Sequence, residues 1–155
     1  MHLHASTFPF CRNHPLHWPL EHHPLALKRN PADEAYWFGW RHSFGSQATI
    51  RVARIGNMAA ITRTYQHFGP DERRQRGALL TNADWIAVED AIIAANFWSL
   101  DERIPFDMGC DGADWIVAGV RWRDFHHIKR WSPHNALYDL GRLMFDLSGL
   151  HEVRL

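Results

Sequence analysis

The dipeptide Gly56-Asn57 lies between two segments in which apolar and polar residues alternate, 47–55 and 58–67. A two-residue turn of this composition joins adjacent antiparallel strands and fixes their register. Residues two apart along a strand share one side of the sheet. Counting outward from the turn predicts three facing pairs on one side: Ile50 with Arg63, Val52 with Ile61, and Arg54 with Ala59. We expect this side to be buried, together with Ala48 and Tyr65.

A strand is predicted before this hairpin, and a loop and a helix are predicted after it. The aromatic-rich segment 36–44 is typical of a strand, and the charged segment 69–77 (GPDERRQRG) is typical of a solvated loop. Thr81 and Asp84 have the spacing of a capping box, which predicts a helix start. Apolar residues then recur at helical spacing: Trp85, Ile86, Val88, Ile92, Ile93 and Ala95.

The segment 111–133 (DGADWIVAGVRWRDFHHIKRWSP) holds the densest group of chemically capable side chains. It predicts a turn at Asp111-Gly112 and two strands separated by a polar break at 121–124. The first strand is apolar on both faces, which favours an interior position in the sheet. Ser132-Pro133 has the form of a helix start, and the apolar stripe that follows predicts a last helix that ends near Gly149.

The resulting element order is β-β-β-α-β-β-α, which divides into two β-β-(β)-α units. We therefore expect an α+β fold, with an antiparallel sheet of about five strands and two amphipathic helices on one face. Residues 35–155 would form this single domain. Residues 1–34 hold six of the twelve histidines and five of the eight prolines, so we expect an irregular arm that lies partly against the domain.

The composition narrows the possible partners and the location of the protein. The 17 basic and 17 acidic side chains balance, which argues against a nucleic-acid partner. No window reaches the roughly 18 apolar residues of a membrane span, and no basic segment precedes an apolar run at the N-terminus. We expect a cytoplasmic protein. For Cys11 and Cys110, free and partly buried thiols are favoured over a disulfide, although the sequence leaves their pairing open.

Six short segments share a familiar order and spacing: ArgHisSerPhe at 41–44, IleArgVal at 50–52, PheTrpSerLeu at 97–100, AspGlyAlaAspTrp at 111–115, Phe125-His126, and ArgTrpSerPro at 130–133. Over residues 36–150 the chain resembles an uncharacterised family of small bacterial proteins with the pattern R-x-SF…vRv…FW…DG-x-xW…YH…RWSP. This chain departs from the pattern at 121–124, where relatives have a glycine turn, and at Phe125, where they have tyrosine. The resemblance supports the fold and implies no reaction.

The favoured function is a non-enzymatic binding or protein-interaction module without a cofactor. Eight tryptophans, three tyrosines and nine phenylalanines exceed what a core of this size needs, and tryptophan and tyrosine anchor interfaces. The candidate binding residues form an exposed platform for another protein or a small ligand: Trp37, Trp40, Trp122 and Trp131, with Arg41.

Two alternatives remain open. A small hydrolase or nuclease-like enzyme could use His126 or His127 as a general base oriented by Asp111, with Arg130 stabilising an anionic transition state. No nucleophile elbow, Walker or Rossmann motif accompanies them. The favoured role of Asp111 and Arg130 is structural, as a salt bridge or turn hydrogen bond that joins the sheet to the last helix. The second alternative is metal binding by the histidine-rich arm, whose spacings match no closed zinc pattern. Its candidate ligands are His2, His4, His22 and His23.

A group of arginines gives the predicted hairpin and its neighbouring strand a basic character: Arg41, Arg51, Arg54 and Arg63. A solvated sheet face is the favoured explanation for this group. The alternative is a site for an anion or a phosphate group.

Overall fold

The computed structural model describes residues 32–66 and 73–155. These residues form one antiparallel sheet whose strands lie in the order β4-β3-β2-β1-β5-β6. The elements are β1 (Glu34–His42), β2 (Gln47–Ile55), β3 (Met58–Gln66), β4 (Arg73–Leu80), α1 (Asn82–Ala94), a 3₁₀ helix (Phe97–Ser99), β5 (Ala113–Arg121), β6 (Asp124–Trp131) and α2 (Ala136–Leu147). The α+β class is confirmed, but the sheet has six strands and not about five.

The register of the β2–β3 hairpin is confirmed, with Val52 opposite Ile61 and Ile50 opposite Arg63. A tight turn leaves the two strands only one way to pair, so local sequence is sufficient here. The extra strand is β4, which occupies part of the segment predicted as a charged loop. It pairs with β3 at the edge of the sheet, a position where charged side chains are tolerated and protect against further strand pairing.

Both helices pack against the same face of the sheet. On β1, Tyr36 contacts Trp85 of α1, with 6.3 Å between ring centroids, and Phe38 contacts Phe145 of α2 at 5.8 Å. Tyr36 and Phe38 are two residues apart and therefore project to one side. The α1 helix thus covers the part of this face near the start of β1, and α2 covers the part next to it. We call this the helix-covered face.

The start of α1 is as predicted, whereas the start of α2 is not. Thr81 and Asp84 form the expected capping box, but α2 begins at Ala136, where the Asn135 side chain accepts a hydrogen bond from the backbone N–H of Leu137. Ser132 instead has a positive φ of 37°, and its hydroxyl accepts from Ala113 N at 2.8 Å. Serine therefore connects the end of β6 to the start of β5 and does not cap the helix.

The buried stripe of α1 is narrower than predicted. Trp85, Val88 and Ile92 are buried, but Ile86 and Ile93 are exposed on the outer side of the helix. In the described ranges, no helix is long and apolar enough to cross a membrane.

A second buried cluster lies on the face of the sheet opposite the helices. It consists of Ala35, Trp37, Ile116, Ala118 and Val120. The predicted interior position of the first strand of segment 111–133 is confirmed, because β5 lies between β1 and β6 and is buried on both faces.

Cys110 is exposed and disulfide-bonded. The expectation of a free, partly buried thiol is therefore wrong for this residue. Cys11 and the rest of the predicted arm up to residue 31 lie outside the described residues.

Candidate functional site

The four candidate catalytic residues do not come together. His126 packs on the helix-covered face against Phe97, with ring centroids 5.1 Å apart, and His127 follows it in β6 and projects to the other face. His127 lies beside the carboxylate of Glu102, with Nδ1 and Oε1 3.9 Å apart. Asp111 is exposed, and within the part of the chain that is described no hydrogen bond or ion pair joins it to either histidine.

Arg130 has a structural role. It is buried, and its guanidinium donates to the carbonyl oxygens of Asp101 at 2.7 Å, Glu102 at 3.3 Å and Lys129 at 2.7 Å. The backbone N–H of Lys129 also donates to Glu102 O at 2.8 Å. Arg130 therefore fixes the segment after the 3₁₀ helix along β6. The expected bond to the last helix is wrong for Arg130, because the carbonyls that accept from it belong to this segment and to β6 itself.

The predicted exposed platform does not form as a unit. Trp37 and Trp40 are only 4% and 2% exposed, because β1 is a central strand with buried faces on both sides. Trp131 is half-buried beside Gly109. Trp122, in the β5–β6 turn, is 83% exposed and matches the expectation.

Arg41, the remaining candidate binding residue, is half-buried on the face opposite the helices. Its Nη2 lies 3.9 Å from Asp114 Oδ2, and Lys129 Nζ contacts the other carboxylate oxygen of Asp114 at 2.9 Å. Arg41 and Lys129 therefore share the carboxylate of Asp114, and Lys129 lies closer to that carboxylate than Arg41 does.

A buried carboxylate network, which sequence reasoning missed, lies at the start of β1. Glu34 Oε1 accepts hydrogen bonds from the Tyr36 hydroxyl and from Arg121 Nε at 3.1 Å. Glu34 Oε2 accepts from Arg54 Nη2 at 3.2 Å. The register explains the contacts, because Glu34 faces Arg54 on β2 and Arg121 on β5. We call these four residues the Glu34 network.

Aromatic rings flank the Glu34 network on the helix side. The Arg54 guanidinium lies over the Trp85 ring at 4.9 Å, and the Arg121 guanidinium lies over the Trp98 ring at 5.3 Å, in cation–π geometry. Burial and the hydrogen bond to Glu34 raise the pKa of Tyr36 well above its ordinary value. The network therefore keeps Tyr36 protonated and joins three strands to α1 and the 3₁₀ helix. The Glu34 network could have been predicted only if the pairing of β1 with both β2 and β5 had been known.

A second feature is the loop 101–112, which presents apolar side chains to solvent. Phe106 is 93% exposed and Met108 is 65% exposed, and Phe106 adopts a positive φ of 62°. The loop reaches the β1–β2 turn, where the backbone N–H and the hydroxyl of Ser43 donate to Gly112 O at 2.9 and 2.8 Å. Phe44 in that turn is 64% exposed. We call the exposed apolar residues at this end of the sheet the loop-end surface: Phe44, Ile104, Phe106 and Met108.

The loop is held in a defined conformation and carries negative charge. The backbone N–H of Trp131 donates to Asp107 Oδ2 at 2.9 Å, and Gly109 packs closely on the indole of Trp131. Residues 101–112 contain four acidic side chains and one arginine, a net charge of −3. The loop-end surface therefore combines exposed apolar side chains with a net negative charge, on a loop held by contacts to β6 and to the β1–β2 turn.

No group of three potential metal ligands occurs among residues 32–66 and 73–155. The histidines proposed as metal ligands (His2, His4, His22 and His23) lie outside these ranges. In comparisons with known proteins, no protein-family model and no curated protein matches the chain. The resemblance to the RWSP-containing bacterial family therefore stays a prediction.

Proposed function

We propose that this protein is a non-enzymatic interaction module that binds a partner protein through the loop-end surface. The observation that supports this proposal is the nearly complete exposure of Phe106 on a loop anchored to β6 and to the β1–β2 turn. A non-glycine residue at positive φ is strained by about 1–3 kcal/mol. Such strain is concentrated at functional sites, where the surrounding structure holds a side chain in place.

The chemistry of the loop supports a partner with an apolar pocket. An exposed aromatic side chain such as that of Phe106, with Met108 exposed on the same loop, is suited to an apolar pocket, and buried aromatic anchors supply most of the energy of typical interfaces. The net charge of −3 within 101–112 favours a pocket with lysine or arginine at its rim. Because the loop is already ordered, binding would cost little conformational entropy.

The proposal can be tested with a photo-reactive benzoylphenylalanine placed at position 106 of the full chain. A matched control carries the same group at Leu79, which is also a strongly exposed apolar residue, on β4. After irradiation in cells, we expect one discrete adduct for position 106 and none of the same mass for position 79. Equal adducts at both positions, or no adduct at 106, would contradict the proposal.

The captured protein must then bind in purified form. Calorimetry should show that Phe106→Ser weakens binding about 30-fold, which corresponds to a hot-spot loss of ~2 kcal/mol, while Leu79→Ser binds like the wild type. An unchanged affinity of Phe106→Ser would exclude the loop-end surface as the binding site.

A further inference from the structure

Arg63 is a buried cation, and no acidic group among residues 32–66 and 73–155 pairs with its charge. It lies on the helix-covered face of β3 and is only 9% exposed. Its Nε and Nη1 atoms are buried, and they have no hydrogen-bond partner within the described part of the chain. A buried charged group is normally paired, because leaving it unpaired strongly destabilises the folded state.

The neighbour of Arg63 on the next strand is a second arginine. Arg76 of β4 lies directly opposite Arg63 in the strand register, and side chains in facing positions on one side of a sheet start about 5 Å apart. Burial and the nearby charge of Arg76 lower the pKa of Arg63. Over residues 32–66 and 73–155, no carboxylate lies within ion-pair distance of either guanidinium.

The third element at this position is the end of α2. Gly149, which has a positive φ of 77°, follows the helix, and a Cβ built on it would lie 3.8 Å from Arg63 Nη1. The carbonyl end of a helix carries a partial negative charge of about half an electron. This partial charge offsets a fraction of the charge of Arg63, and no acidic group within the described part of the chain offsets that of Arg76.

We propose that Arg63 and Arg76 together bind a phosphate group. A guanidinium is a planar fork of donors that matches the oxygens of an oxyanion, and its own proton cannot be lost at physiological pH. Two adjacent cations with no acidic partner among the described residues favour a doubly charged anion, and a phosphate dianion carries two negative charges whereas a carboxylate carries one. The unpaired nitrogens of Arg63 would then be bonded to phosphate oxygens. The phosphate could come from inorganic phosphate or from a phosphate monoester, since both present the same group.

Calorimetric titration of the full chain with phosphate at pH 8 and constant ionic strength tests this site. We expect saturable 1:1 binding of inorganic phosphate or of phenyl phosphate, with the tighter of the two identifying the source. Sodium acetate at the same ionic strength should give no saturable signal. Acetate that binds as tightly as phosphate, or phosphate that produces no more heat than chloride, would overturn the proposal.

Variants assign the binding to the two arginines. Arg63→Met and Arg76→Gln should each weaken phosphate binding at least tenfold, whereas Arg51→Met should bind as the wild type does, because Arg51 projects from β2 to the opposite face. Phosphate binding that survives both of the first two substitutions would refute the assignment. If Arg63→Met fails to fold, the exposed Arg76 still decides the outcome through Arg76→Gln.

A stability measurement separates this site from a purely structural role for Arg63. In phosphate-free buffer the Tm of Arg63→Met should equal or exceed that of the wild type, because the substitution removes an unpaired buried charge. In saturating phosphate the order should reverse, since only the wild type gains from binding. A lower Tm for Arg63→Met in both buffers would show that the arginine is structural.

Discussion

Substitution of Gly141 by alanine sets two effects of opposite sign against each other. Gly141 lies inside α2, where alanine would favour the helix by about 0.8–1 kcal/mol through its higher intrinsic propensity. The helix, however, packs closely on the sheet at this point. A Cβ at position 141 would lie 2.7 Å from Trp115 Cη2 and 3.0 Å from Phe38 Cζ, well inside ordinary contact distance.

The Trp115 ring has no room to move away. It is buried, it meets the Phe38 ring edge-on at 5.1 Å, and it stacks on the Tyr138 ring at 6.0 Å. Overpacking of a close-packed core costs about 1–3 kcal/mol. Because this range exceeds the gain in helix propensity, we expect Gly141→Ala to lower the free energy of unfolding by about 1–2 kcal/mol.

Urea denaturation followed by circular dichroism at 222 nm measures the effect. The matched control is Gly77→Ala on β4, where the nearest atoms to an added Cβ are 3.6 Å away. There we expect a change of no more than about 0.5 kcal/mol. A stabilising Gly141→Ala would refute the claim that α2 packs in contact with Trp115.

A double-mutant cycle tests the cause. Trp115→Phe removes Cζ3 and Cη2, the two Trp115 atoms nearest to the added methyl group, and should itself cost about 2 kcal/mol through the cavity it leaves. In that background Gly141→Ala should no longer destabilise, which corresponds to a coupling energy of about 2 kcal/mol. Additive effects would show that the clash is not with the indole.

Three further outcomes follow from the Glu34 network and from Arg130. In urea denaturation, Glu34→Gln should lower the free energy of unfolding by about 2 kcal/mol; this is less than for a fully buried ion pair, because the arginine partners are about one-third exposed and can be rehydrated. The control Glu89→Gln removes one 3.4 Å ion pair and should cost less than ~1 kcal/mol. Equal losses of stability in the two variants would contradict the network. The raised pKa of Tyr36 contributes stability that is fully present below about pH 10, the pKa of tyrosine in the unfolded chain, and is lost as the pH rises further. Tyr36→Phe should therefore lose less stability than the wild type between pH 9 and 11. Parallel plots of unfolding free energy against pH for the two proteins would refute the raised pKa of Tyr36. Arg130→Met should speed amide hydrogen exchange in the loop 101–112 at least tenfold, because it removes the two hydrogen bonds that hold the carbonyls of Asp101 and Glu102 against β6. Unchanged exchange in that loop would show that the other contacts suffice.

The parts of the fold that depend on neighbouring residues were predictable. The Gly56-Asn57 turn specifies the β2–β3 register, and the spacing of Thr81 and Asp84 specifies the start of α1. The same local reasoning was wrong at Ser132-Pro133, because a distant backbone N–H, that of Ala113, takes the serine hydroxyl. Local signals are reliable only where no partner from another strand competes for the same group.

The candidate sites were less accessible to sequence reasoning. Trp37 and Trp122 were both predicted to belong to an exposed platform, yet Trp37 is buried and Trp122 is almost fully exposed. The difference arises because Trp37 belongs to a strand with neighbours on both sides and Trp122 to a turn. The exposure of Phe106 was likewise not predictable, since nothing in the sequence of segment 101–112 indicates that its apolar residues remain in solvent.

By itself the sequence determined the α+β fold class, the β2–β3 pairing and the capped start of α1, since each of these depends on groups within a few residues of one another. The tertiary structure alone decided the sixth strand, the Glu34 network, the opposition of Arg63 and Arg76, and the exposure of the loop-end surface. Each of these depends on which strands become neighbours, and that choice is made by the burial of the whole sheet against two helices, a property that no single segment contains.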